Sequence, residues 1–186
     1  MTKHWIKIAA IPALALAIFL PGCDSLGDST RPELDPRGYA IFSTSSGEQY
    51  VVTREPVSYG IVSGTIGNAG GELHLGVHSL VVPAGAVSEA TVFTMSRPEG
   101  DLLRLSLSAT RESYNDVGAA GFAVPLQLRL SFVDAGDLPA DVSKLEVIYF
   151  EPTGTVAPQP TYLDVTGGVA SGDIPHFSDF GLAWPF

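Results

Sequence analysis

His176-Phe177-Ser178 sets a proton acceptor two residues before a hydroxyl, and Ser178 directly follows the Phe177 carbonyl. Attack of Ser178 Oγ on that carbonyl, with His176 taking the proton, is an N-to-O acyl shift that leaves an ester open to hydrolysis. The step needs a strained peptide and an oxyanion donor. An ordinary planar peptide resists it, since a twist of only ~12° costs about 1 kcal/mol. Pro175 stiffens the approach, and Asp179 adds a negative charge that opposes a developing oxyanion. The expected role is therefore structural. Phe177 enters the core, His176 and Ser178 bond neighbouring backbone before the last strand, and no residue is catalytic.

Two other groups have the donor types of a metal site. Glu72 and His74 share one face if they lie on a strand, and His78 follows across a turn that Gly76 bends. A strand does not stack positions four apart, so solvated surface histidines are expected there. Asp134, Asp137 and Asp141 fall in one loop, VDAGDLPADVSK, and could approach a calcium ion. Their spacing is not that of an EF-hand, and Asp is a frequent turn and cap residue. The expectation is no metal and no cofactor. No nucleophile elbow, phosphate loop or dinucleotide fingerprint occurs. Gly118-Ala119-Ala120-Gly121 precedes a strand, which excludes a phosphate cradle at a helix start.

Charge narrows the partners. The chain has 186 residues with 20 acidic against 10 basic side chains, a net charge of −10. No basic field exists to neutralise phosphates, so a polyphosphate partner is disfavoured and no nucleic acid is expected. Apolar residues at 45% suffice for a core. One cysteine, Cys23, excludes a disulfide framework and a cysteine-based zinc cluster.

Residues 1–22 have the pattern of an export signal. Lys3 and Lys7 supply the positive start, and Ile8 to Leu20 is a 13-residue apolar run. A bilayer span needs about 20 such residues. Leu20-Pro21-Gly22-Cys23 resembles a bacterial lipobox, with Pro21 where Ala or Ser is usual. The resemblance implies lipidation of Cys23, which becomes the mature N-terminus, and attachment to a membrane through its acyl chains at roughly 0.8 kcal/mol per buried CH₂. The polar stretch Asp24 to Gly38 reads as a tether, so residues 23–38 form the lipidated cysteine and linker. A flexible chain of that length reaches about 20 Å.

From Tyr39 onward, short segments alternate with turn signals. Leu103, Leu105 and Leu107 alternate with Arg104, Ser106 and Ser108; Leu126, Leu128, Leu130 and Phe132 alternate with Gln127, Arg129 and Ser131. These are period-2 faces, one buried and one wet. Further strands are expected at 49–53, 58–66, 80–82, 91–96, 145–150, 161–165 and 180–184. Turns are expected at Asn68-Ala69-Gly70-Gly71, Pro98-Glu99-Gly100, Asn115-Asp116 and Pro152-Thr153-Gly154. No window has a helical stripe. The pattern predicts an all-β protein with a single antiparallel β-sandwich over 39–186.

Gly64-x-Ile66, Gly70-Gly71-x-Leu73-x-Leu75, Ser79-Leu80-x-Val82-Pro83-x-Gly85-Ala86 and Thr91-x-Phe93-x-Met95 together resemble the ZU-five domain of zonula occludens proteins, ankyrins and netrin receptors. The ending His176-Phe177-Ser178-Asp179-Phe180 resembles the same family. The resemblance covers about 60–97 and 174–184; the stretch between fits only in its strand pattern. It implies an antiparallel β-sandwich used for protein interaction. In a few relatives with the His-Phe-Ser triplet the chain cuts itself between Phe and Ser, which here is Phe177 and Ser178. Ending at Phe186, the chain is expected to lack the further domains that follow the module in eukaryotic proteins.

The function expected is a non-enzymatic, membrane-anchored interaction module in a bacterial cell envelope, with another envelope protein as partner. Two alternatives are a self-cleaving module and a sugar- or calcium-binding sandwich. The last draws on Tyr39, Tyr50 and Tyr59 as exposed aromatics.

Overall fold

The computed structural model describes residues 32–56, 60–111, 122 and 124–186. Among the described residues, fourteen strands occur in chain order. They are β1 (Glu33–Leu34), β2 (Ala40–Ser43), β3 (Gln49–Val52), β4 (Gly60–Ile66), β5 (Gly71–Leu75), β6 (His78–Val82) and β7 (Thr91–Arg97). Then follow β8 (Arg104–Arg111), β9 (Leu126–Ser131), β10 (Glu146–Phe150), β11 (Val156–Pro158), β12 (Thr161–Asp164), β13 (Val169–Ile174) and β14 (Asp179–Pro185). Among the described residues the only helical element is a single 3-10 turn, Val142–Lys144, and no helix is long and apolar enough to cross a membrane.

All pairings are antiparallel, and the strands form two sheets, as the alternation predicts. The smaller sheet runs β12-β13-β9-β6-β5. The larger runs β1-β2-β3-β14-β8-β7-β4, with β10 and β11 joined to it through β14. The main core lies between the sheets. Leu80 and Val82 of β6, Leu126, Leu128 and Leu130 of β9, and Ile174 of β13 face Phe93 and Met95 of β7, Leu105 and Leu107 of β8, and Phe180 and Leu182 of β14. A second, smaller core lies on the other face of the larger sheet. Phe42, Tyr50, Val52, Ile148, Phe150, Val156 and Ala183 form it, with Phe42 edge-on to Phe150 at 5.4 Å.

β14 has three neighbours. One edge pairs with β10 over Asp179 to Ala183. The other edge is divided, with Asp179 to Gly181 on β8 and Ala183 to Pro185 on β3. Thr53 closes the gap between them, donating from both its amide and its hydroxyl to Leu182 O at 2.9 and 3.1 Å. Gly181 sits where nothing larger fits. A Cβ there would lie 2.5 Å from Leu103 O and 2.8 Å from the Phe150 ring.

Polar residues also tie the sheets together. Glu55, after β3, is 2% exposed and meets Arg97 of β7 and His78 of β6, each 3% exposed. Arg97 donates to the Glu55 carboxylate and also to the Glu55 carbonyl. His78 Nε2 lies 3.0 Å from Glu55 Oε2, and Ser131 N–H donates to His78 Nδ1 at 3.2 Å. Since Nδ1 accepts, the ring proton resides on Nε2 and is given to Glu55. This corrects the expectation of a solvated His78.

Strand pairing begins earlier in the chain than the sequence places it. Residues 33–38, read as tether, contribute β1 and a turn in which Asp35 Oδ1 accepts from Arg37 N and Tyr39 N. Cys23 and the export signal lie outside the described residues.

Urea unfolding tests this packing. Leu128→Ala is expected to cost about 2–5 kcal/mol, and Arg129→Ala, on the wet face, under about 0.5. Gly181→Ala is expected to cost about 1–3 kcal/mol, because backbone must move to admit one methyl. A neutral Gly181→Ala contradicts the β14 packing.

Candidate interaction surfaces

The histidines do not converge. Leu75 pairs with His78 across the two-residue turn of Gly76 and Val77, with Gly76 at φ +60°. His74 stays on the wet face, 3.7 Å from Glu72, while His78 turns inward. Burial pushes the His78 imidazole below its usual value of 6.5, and the Glu55 charge and hydrogen bond only partly oppose this.

The three aspartates separate as well. Asp141 caps the 3-10 turn, accepting from Ser143 Oγ at 2.6 Å and Ser143 N at 3.1 Å. Those bonds, the hydroxyl's foremost, lower its pKa. Asp137 holds φ +57° and lies 3.4 Å from Arg54 Nε, whose side chain also meets Asp101 at 3.1 Å. Asp134 is exposed. Among the described residues no three His, Cys, Asp or Glu side chains gather as a metal site.

The aromatic expectation needs correction at Tyr50. It is buried in the second core, and its hydroxyl donates to Glu146 Oε2 at 3.1 Å. Burial and that carboxylate push the phenol up to about 12. Tyr59 lies outside the described residues. Tyr39 stands edge-on to Trp184 at 6.0 Å, beside a shallow groove also lined by Leu138, Pro139, Asp141 and Lys144. Trp184 Nε1 donates to Asp137 O at 2.8 Å, which fixes the indole.

His176, Phe177 and Ser178 form the link from β13 to β14. Phe177 packs edge-on to Phe122 at 4.8 Å and Phe93 at 5.7 Å. His176 is turned to Tyr149 at 5.0 Å. The backbone is held on both sides, since Phe122 N donates to Pro175 O and Leu107 N to Ser178 O. Among the described residues no hydrogen bond joins the imidazole to the Ser178 hydroxyl, and no residue of the triplet has positive φ. The Asp179 charge is paired. Arg104 grips its carboxylate through Nε at 2.8 Å and through Nη2.

The surface that sequence reasoning missed is the outer face of β4, β7 and β8. Register aligns Ile61 with Ser96 and Ser106, Ser63 with Thr94 and Ser108, and Thr65 with Val92 and Thr110. The nine side chains are seven hydroxyls and two aliphatics, with no charge. Ile61 is 57% and Val92 40% exposed. Ser63 and Thr94 hydroxyls bond each other at 2.8 Å. Beside this face β4 pairs with β7 alone, so its other edge is free among the described strands. Alternating Ser and Thr announced a wet face; which strands lay side by side was not written locally.

No family model and no curated protein matches the chain.

Two measurements test these placements. Because His78 is held neutral, folding excludes a proton that the unfolded chain binds below 6.5. Its contribution is therefore present above 6.5 and is lost as pH falls towards the depressed folded value. Unfolding free energies of wild type and His78→Gln, taken well above and well below 6.5, are expected to converge on the acid side. A constant gap contradicts the neutral buried imidazole. Intact mass of the denatured protein is expected to show no loss of Ser178 to Phe186. A missing fragment, restored by Ser178→Ala, establishes self-cleavage instead.

Proposed function

We propose that this chain is a non-enzymatic, lipid-anchored module that binds another protein in the bacterial cell envelope. The observation that carries the binding role is the set of nine uncharged positions on the outer face of β4, β7 and β8, beside a β4 edge that is unpaired among the described strands. Edge strands of soluble domains are usually shortened, charged or interrupted by proline. β4 has seven residues, GIVSGTI, with none of these protections. An extended segment of a partner can add to such an edge through main-chain hydrogen bonds.

The anchor rests on Leu20-Pro21-Gly22-Cys23, with lipid on Cys23 as the membrane contact. Kinship with ZU-five domains belongs to the same reading. In support, the stretch Ser79 to Ala86 is the strand β6 running into a turn at Pro83 to Ala86, where Gly85 has φ +81° and Ala86 N donates to Pro83 O. The acidic balance supports a protein or membrane partner over a nucleic acid.

The anchor is tested by detergent phase partition. The mature chain is expected in the detergent phase, and Cys23→Ser is expected to abolish lipidation, leaving the precursor uncut or cut elsewhere. Unlipidated wild-type protein beginning at another residue contradicts it.

A further inference from the structure

We infer that the β4 edge is a self-association site, at which a second copy of this chain adds its own β4 antiparallel across a two-fold axis at Ser63. This rests on the interaction reading above and names its partner.

The edges differ in a way that singles out β4. β1 has two residues, and β11 has three, ending in Pro158. β5 carries Glu72 and His74, and β12 carries Asp164. Each has a device that discourages strand addition. β4 has none and is the longest of them.

Charge selects the occupant. A chain of net charge −10 repels its own copy wherever acidic surface meets acidic surface. The face of Ile61, Ser63, Thr65, Val92, Thr94 and Ser96 contains no charge, so two copies can join there without placing like charges opposite one another.

Shape agrees. Ser63 is the central residue of β4, so a two-fold axis there sets Ser63 opposite its own equivalent and Ile61 opposite Thr65 of the other copy. On the inner side it sets Val62 opposite Gly64, a large residue against an empty position. Gly64 is empty for a reason within one copy, because a Cβ there would lie 3.0 Å from Leu73 Cδ1. The joined edges extend the larger sheet across both copies and satisfy the outward backbone groups of both β4 strands. Chains held on one membrane meet at raised effective concentration, so a modest contact suffices.

Cysteine cross-linking in isolated membranes tests the register. The Ser63→Cys chain is expected to give mostly a disulfide-linked species of twice the monomer mass on mild oxidation, since facing strand residues lie within disulfide reach. Ile61→Cys alone is expected to give none, because its equivalents lie on opposite sides of the axis. Ile61→Cys combined with Thr65→Cys restores the dimer. Wild type, with Cys23 alone, and Ser108→Cys, on the same face but away from the edge, are expected to stay monomeric. Absence of dimer from both Ser63→Cys and the double variant overturns the proposal. So does equal cross-linking at Ile61 alone. Capture of a different protein at Ser63→Cys by a monomeric chain also overturns self-association and leaves the interaction reading standing.

Discussion

β14 is the strand on which the rest of the molecule depends. It divides one edge between β8 and β3 and gives the other to β10. Both of its faces are buried, with Phe180 and Leu182 in the main core and Ala183 in the second. Gly181 lets the Phe150 ring and the Leu103 carbonyl close over it. Its partners lie far off in sequence, so loop closure precedes the reward of pairing, and slow folding follows. The link before it is shaped by this task. Phe177 wedges between Phe93 and Phe122, and the Ser178 carbonyl enters the ladder of β8.

The buried group of Glu55, Arg97 and His78 does for the space between sheets what β14 does within one. Burying charge is costly, and such groups seldom add net stability over an apolar filling. They do penalise misalignment, because a shifted sheet leaves a carboxylate or guanidinium without its partner. Here β6, β7 and the segment after β3 must arrive together for the Glu55 carboxylate to meet both Arg97 and His78. The scaffold behind β4 and β7 is thereby fixed in register. A rigid free edge loses little conformational freedom when a strand adds to it.

The sequence made much of this legible. Leucines at 105, 107, 126, 128 and 130 marked the strands of both sheets, since period-2 burial is a local property. β1, β2, β11 and β13 were missed, the last because VASGDI mixes glycine and aspartate with its apolar positions. His78 was misjudged although it shares a face with Leu80 and Val82; its polarity outweighed its spacing, and the distant Glu55 that satisfies it was invisible. Tyr50 failed in the same way, its partner Glu146 being remote in sequence. The hydroxyl face escaped because it exists only once β4, β7 and β8 are aligned.

Hydrogen exchange of the β4 amides tests the central claim, that this edge is open in the isolated chain and occupied in the envelope. In dilute detergent solution, alternate amides of Gly60–Ile66, those not bonded to β7, are expected to exchange rapidly, and in native membranes to be protected. Full protection in dilute solution, or equal exchange in both settings, contradicts the account.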